Sequence, residues 1–445
     1  MKTVLVLFVH TFFDAVFGWA LLNSRPNRDS PEEILFLAVP LGMYVETLAV
    51  AGLMFVGLKF PSAGLAAALG MTGLAIGVVY CTQQRLPRFS INRPQWYEWA
   101  LLAAIGEKVL FGVWQLARTH TYFLDALMHW SGRGRALFGE VNWSLDPASP
   151  FFMGRHIGNG NYPLLTITWR ALSAKLNGEW NEAISRADGL IFFILIVGTV
   201  WTAVRRFSKS RWLAAAAAFV VSAVPLEAWH AAAGYSDIAV EAFMVVAVAA
   251  LLRQEWFMAG IMTAGAVWSK NDTLLLYLPA LVLSVFSVGK WRRVALFLAG
   301  FATISPWFAF NIVHSLGITP GERQLALHRD APKLLWDAFM TSPSSGILWA
   351  AILPCAIYVG VAMFRDDTGR GLILAFSITV STIVFLFTST NAYAFLADEA
   401  TIHRVLMQFS ATAVLIVTYG VWLKMEAGQT VRLAATKRKR RGSVS

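Results

Sequence analysis

Charged residues are scarce in this chain. They make up 14% of its 445 residues, against about 25% in a soluble domain of average composition, while 57% are hydrophobic. A soluble fold built this way would expose large apolar patches and aggregate. Cysteine is rarer still: Cys81 and Cys355 both sit inside apolar runs, which suggests neither a disulfide framework nor a cysteine-based metal site. The chain also lacks a G-x-x-x-x-G-K-[ST] run, and its inward loops leave no room for a nucleotide-binding domain. ATP-driven transport is therefore disfavoured.

The chain is rich in apolar blocks of about 20 residues, the length that crosses a ~30 Å hydrocarbon core. They fall near 3–22, 34–58, 62–81, 97–117, 188–204, 212–228, 237–252, 256–269, 273–289, 294–315, 346–364, 371–388 and 404–424. This predicts an all-α polytopic membrane protein of about thirteen spans. The first block contains His10 and Asp14 and has no small-x-small cleavage site before Asn23, so it reads as a retained span rather than a signal peptide.

The net charge of +11 is concentrated in short clusters between blocks. With the C-terminus in the cytoplasm, Arg85/Arg88/Arg93, Arg205/Arg206/Lys209/Arg211, Lys290/Arg292/Arg293 and Arg365/Arg370 all fall inside. That is the positive-inside pattern of an inner-membrane protein. The tail Lys437–Arg441 fits the same topology and could meet anionic headgroups; nucleic-acid binding is not expected. The chain thus divides into one transmembrane domain, 1–424, and a basic cytoplasmic tail, 425–445, expected to lack structure.

One segment is out of scale. Residues 118–187 form a long outer loop carrying Trp130, Trp143, Trp169 and Trp180, too apolar for disorder and long enough to suggest function. Its stretches 121–131 and 164–176 have apolar residues at helical spacing, as in helices lying in the headgroup plane.

Four outward-facing places could carry chemistry. In Tyr122–Arg133, Asp125 and His129 stand at i and i+4, sharing a helix face that Arg133 extends unless Gly132 and Gly134 end the helix. A carboxylate beside an imidazole suits general-base removal of a proton, although Asp125 would equally serve as a helix cap. Asp237, in Gly234-Tyr235-Ser236-Asp237, is either an N-cap or a site residue, and Glu241 a turn later faces a cavity or partner. Lys270, in Ser269-Lys270-Asn271-Asp272, is placed to hold a phosphate at headgroup level or to snorkel; Asp272 is placed to cap the next helix. His403 and Arg404 open the last span on the outer side, where an arginine runs against the charge rule and calls for an anion nearby.

Taken in order, these pieces resemble a family. The acidic residue and histidine of the first large outer loop, Tyr162-Pro163-Leu164-Leu165, Gly234–Asp237, Ser269–Asp272 and Arg404 are similar to the GT-C superfamily of membrane glycosyltransferases, near bacterial relatives of protein O-mannosyltransferases and aminoarabinose transferases. The resemblance covers about 97–424 and implies a GT-C-like helix bundle. It further implies a polyprenyl-phosphate sugar donor and a glycan, lipid or protein acceptor. Asp125 is implied as the base, Lys270 and Arg404 as the phosphate holders, His129 and Arg133 as helpers, and Asp237, Asp272 and His403 as further substrate-side residues. No metal ligands are assigned, and a divalent metal is left open. The rival expectation is a secondary transporter whose ion path would run through Asp14, Glu46, Glu107 and Glu241. Glu107 and Lys108 diverge by ~100° on a helix and are not expected to pair.

Overall fold

The structure is a computed structural model that describes residues 2–23, 31–82, 95–121, 123–317, 324–345 and 347–442. Tyr122, Arg85, Arg88 and Arg93 lie outside the described residues, as do the side chains from 429 onward. Among the described residues the chain is helical with no β-strand. Helices α1 (Lys2–Asn23), α2 (Pro31–Phe55), α3 (Phe60–Thr82) and α4 (Trp96–Arg118) come first, and the long loop holds α5 (Arg133–Gly139) and α6 (Leu165–Asn177). Then follow α7 (Ala187–Ser208), α8 (Arg211–Ser222), α9 (Pro225–Ala233), α10 (Asp237–Leu252), α11 (Trp256–Ser269), α12 (Thr273–Leu276) and α13 (Leu278–Ser287). The chain ends with α14 (Trp291–Phe301), α15 (Ser305–Val313), α16 (Ala331–Met340), α17 (Leu348–Arg365), α18 (Asp367–Ser389), α19 (Tyr393–Ala397) and α20 (Ala400–Gly442). The last helix continues into the basic stretch expected to lack structure.

Nine helices among the described residues are long and apolar enough to cross a membrane, or ten if α8 and α9, bent by 63°, form one span. The protein is an integral membrane protein. Thirteen was the expected number, and each expected block is helical, but three are short. α10 has 16 residues and α11 has 14, while 273–289 is interrupted between α12 and α13. α10 and α11 are buried nearly all round, as befits helices apolar on every face. The lipid-facing surface is carried by helices such as α3, whose Leu65, Leu69, Ile76 and Tyr80 are exposed.

Local rules set the ends. Pro225 opens α9 and lacks the N–H that would continue α8; Ser210 and Asp366 accept the backbone N–H of Leu213 and Gly369, capping α8 and α18. Polar contacts mark one end of the bundle, where Arg206 pairs with Glu33 (2.6 Å), Arg211 with Glu98 (2.6 Å), and the Tyr419 hydroxyl donates to Asp366 (3.0 Å). The long loop covers the opposite end.

That loop is anchored, not laid on the surface. α6 was expected in the headgroup plane, yet ten of its residues are buried. It runs antiparallel to α1: Trp169 bonds Asp14, Ser173 bonds His10, and Asn181 beyond its end bonds Thr3. Buried Arg170 makes a two-pronged ion pair with Asp188 on α7, both contacts 2.9 Å. An apolar stripe of helical period packs on protein as readily as on lipid, which is why the pattern alone misplaced it. Glu107 and Lys108 also depart from expectation. They lie 2.8 Å apart on the outer face of α4, because long flexible side chains bend around the helix surface.

Candidate active site

The loop and three helix starts meet at one cavity of about 360 Å³. The first contributor is the segment after α4. The Leu127 N–H bonds the Phe123 carbonyl, and residues Ala126–Gly132 then wind as a π-helix. Such wide turns are frequent at functional sites. Asp125 and His129 both line the cavity. Gly158 has no Cβ, and one would sit 2.7 Å from His129 Nδ1, so the loop backbone can lie directly on the imidazole. There the Asn159 N–H donates to His129 Nδ1 (2.8 Å). Burial lowers the His129 pKa; Asp125 opposes this, while Arg133, Lys270 and Arg404 reinforce it.

Asp237 arrives through the α9–α10 turn. Gly234 ends α9 at φ +84°, a conformation in which a side chain is strained. The Ser236 hydroxyl donates to the Ser269 carbonyl (3.0 Å) and ties this turn to the end of α11. Asp237 does not cap its helix with its side chain. Its Oδ1 accepts from Lys270 (3.0 Å) and Gln408 (2.5 Å), and its Oδ2 lies 4.0 Å from Arg404.

Lys270 follows α11 in extended conformation and sits between Asp237 and Asp272, the latter at 3.1 Å. Burial works to lower its pKa, but the two carboxylates outweigh burial and hold the ammonium above the ordinary lysine range. Asn271 beside it donates to the Asn161 carbonyl (2.9 Å) and joins this turn to the loop. Arg404, from α20, donates to Asp125 Oδ2 (2.7 Å) and lies over the Tyr235 ring at 5.0 Å. The cavity thus has a polar wall of Asp125, His129, Asp237, Lys270, Asp272 and Arg404. Apolar residues line the cavity too, among them Leu275, Leu276, Leu386, Phe387 and Phe395.

Two expected residues do not line this cavity. Arg133 is fully buried behind the loop, donating to the carbonyls of Met153 (2.8 Å), Tyr162 (3.2 Å) and Gly160 (3.4 Å). His403, adjacent to Arg404, points to the other side of α20, as neighbours ~100° apart must. It faces Ser342 (3.3 Å) in a separate cavity of about 400 Å³ with Asp337 and Glu399. Conversely, Gln408, Tyr162, Trp130 and Asn159 were not singled out as site residues. Gln408 stands at i+4 from Arg404, so an amide on the same face of an apolar span was the available signal.

The intramembrane acids fall in separate places. Asp14 and Glu46 join His10 between α1, α2 and α6. Glu241 shares the Ser410 hydroxyl with Glu227 (2.9 and 2.6 Å), and Glu107 faces outward. No family model, curated protein or solved structure matches the chain.

Proposed function

We propose that the protein is a membrane glycosyltransferase that moves a sugar from a polyprenyl-phosphate donor to an acceptor on the extracytoplasmic side, with Asp125 as general base. The observation that carries this reading is the meeting of Asp125, Asp237, Lys270 and Arg404, drawn from four separated parts of the chain, around a cavity lined by both polar and apolar residues. A lipid phosphate needs both. Its headgroup takes charge-assisted hydrogen bonds from Lys270 and Arg404, while its chain lies along Leu275, Leu386 and Phe395.

Asp237 is the fixed counter-charge that aims the two cations. Asp125 is the movable one: its side chain is 39% exposed and its pairing is to Arg404. A donor phosphate that takes over Arg404 releases the Asp125 carboxylate. Asp125 then accepts the proton of the acceptor hydroxyl or amine as that group attacks the anomeric carbon. The bond from anomeric carbon to phosphate oxygen breaks with inversion, and the leaving phosphate keeps the electron pair beside Lys270 and Arg404. The transporter reading has less support, because only Asp14 and Glu46 of its four acids lie together.

Asp125→Asn tests the assignment. Loss of a general base costs about 10²–10⁴-fold in rate, so transfer from a polyprenyl-phosphate sugar in membranes should fall by that order. Donor binding should hold or tighten, since one negative charge leaves the cavity. Unchanged transfer would remove Asp125 from the mechanism.

A further inference from the structure

Deep beneath the loop, away from the cavity, His10 and Asp14 of α1 meet Glu46 of α2. They are 2%, 0% and 5% exposed, and one ligand atom from each lies within 4.8 Å of the others. The helices can approach this closely because Gly42 has no Cβ; one would lie 2.1 Å from the Asp14 carbonyl oxygen.

Two carboxylates and one imidazole buried together carry a net negative charge while both carboxylates are ionised, whether or not the imidazole is protonated. Such a charge is costly in an apolar interior and demands compensation. The hydrogen bonds leave a place for it. Asp14 Oδ2 accepts from the Trp169 indole (3.0 Å), whereas Asp14 Oδ1 is buried with no hydrogen-bond partner. His10 Nδ1 lies 2.8 Å from the Ser173 hydroxyl and its Nε2 lies 2.8 Å from Glu46 Oε2. If Nδ1–H donates to Ser173, the Nε2 lone pair is left for a proton or a metal ion shared with the Glu46 carboxylate. A histidine oriented through its second nitrogen is the usual arrangement in metal sites. The His10 ring is also held in place by stacking on Trp169, with centroids 4.8 Å apart and planes 5° apart.

We propose that His10, Asp14 and Glu46 bind one divalent transition-metal ion of the zinc class, and that this ion clamps α6 against the first two helices. One nitrogen and carboxylate oxygens are donors zinc accepts, at about 2.0–2.2 Å. Reaching that geometry draws the Asp14 oxygen inward and opens the His10–Glu46 contact, now 2.8 Å, by about 0.5 Å. A divalent cation cancels the excess charge and draws in the free Asp14 oxygen. Ser173 and Trp169 carry the constraint into α6, which begins three residues after Tyr162 of the cavity wall. The ion would bind whether or not the cavity transfers a sugar.

The test uses the full chain in nanodiscs, purified without a histidine tag, stripped with chelator and titrated with Zn²⁺ alone and with Co²⁺ alone. One tightly held equivalent is expected, together with a higher Tm and a visible Co²⁺ spectrum showing nitrogen and oxygen ligation. Asp14→Asn and Glu46→Gln should abolish retention, and Trp169→Phe should weaken it about tenfold. A wild-type protein that retains neither ion, and whose Tm does not respond to them, overturns the proposal and leaves a proton as the compensating charge. So does a monodisperse Asp14→Asn protein that binds Zn²⁺ as the wild type does. The wild-type titration stands even if a variant fails to fold.

Discussion

Lys270 has the most exacting environment in the cavity. Its ammonium bridges Asp237 and Asp272 while Asp237 is also held by Gln408. Removing one member of a buried pair is costly because the other charge stays behind without compensation, by about 3–5 kcal/mol. Lys270→Met should therefore destabilise the protein by about that amount, and Lys270→Met with Asp237→Asn should recover much of it. Thermal unfolding of both variants in nanodiscs checks this. If the double variant is no more stable than the single, Lys270 and Asp237 are not energetically paired. Asp125 and Arg404 should behave differently, since the Asp125 side chain is 39% exposed and partly exposed ion pairs are worth little. Breaking that pair changes catalysis more than stability.

At the scale of elements, the loop behaves as a built wall held by buried arginines. Arg133 gathers three carbonyls of 153–162, Arg170 pins α6 to Asp188, and Arg186 donates to the Thr119 hydroxyl (2.9 Å) and the Ala232 carbonyl (3.1 Å). Gly158 is where this wall touches the site. A Cβ there would meet His129 Nδ1 at 2.7 Å and the Met128 carbonyl oxygen at 2.9 Å. The carbonyl is backbone and cannot rotate away. Gly158→Ala should displace the loop from the π-helix, cost about 1–3 kcal/mol and break the Asn159–His129 hydrogen bond. The His129 ring resonances, followed by NMR in the isotope-labelled protein, would register that loss. An unchanged His129 spectrum would mean the loop does not position the imidazole.

The same elements show what was legible in the sequence. The apolar blocks mark the helices because a bilayer imposes one length and one polarity on every element that crosses it. Asp125, His129, Asp237, Lys270, Asp272 and Arg404 stood out less by local spacing, which suits caps and snorkelling side chains equally, than by their order along the chain. Arg133 and His403 looked alike in that respect. Only the third dimension separates an arginine that binds loop carbonyls, or a histidine one position round the helix, from residues that line the cavity. The apolar lining was illegible because Leu386 and Phe387 look like any lipid-facing residue. The seating of α6 was hidden because its amphipathic stripe does not specify what covers it.

At the scale of the whole molecule, the two ends of the bundle are chemically distinct, and this fixes a prediction about orientation. One end gathers Arg206 and Arg211, paired with Glu33 and Glu98, and the helix ends next to Lys290 and Arg365. The other carries the loop and the cavity. α12 carries Leu275 and Leu276 of the cavity wall and leads into α13, which ends just before Lys290, so Asn142 in the loop and Lys290 mark opposite faces. Lysine and arginine accumulate in loops retained in the cytoplasm, which predicts Asn142 outside and Lys290 inside. Both positions are exposed, and replacing Cys81 and Cys355 with serine gives a background without thiols. In intact cells a membrane-impermeant maleimide should label Asn142→Cys at once, and Lys290→Cys only after permeabilisation. The reverse pattern would place the cavity in the cytoplasm. There the acceptor and donor would meet soluble nucleotide sugars, and a lipid-phosphate donor would lose its rationale, because the need for a membrane-borne sugar arises only where activated nucleotides are absent.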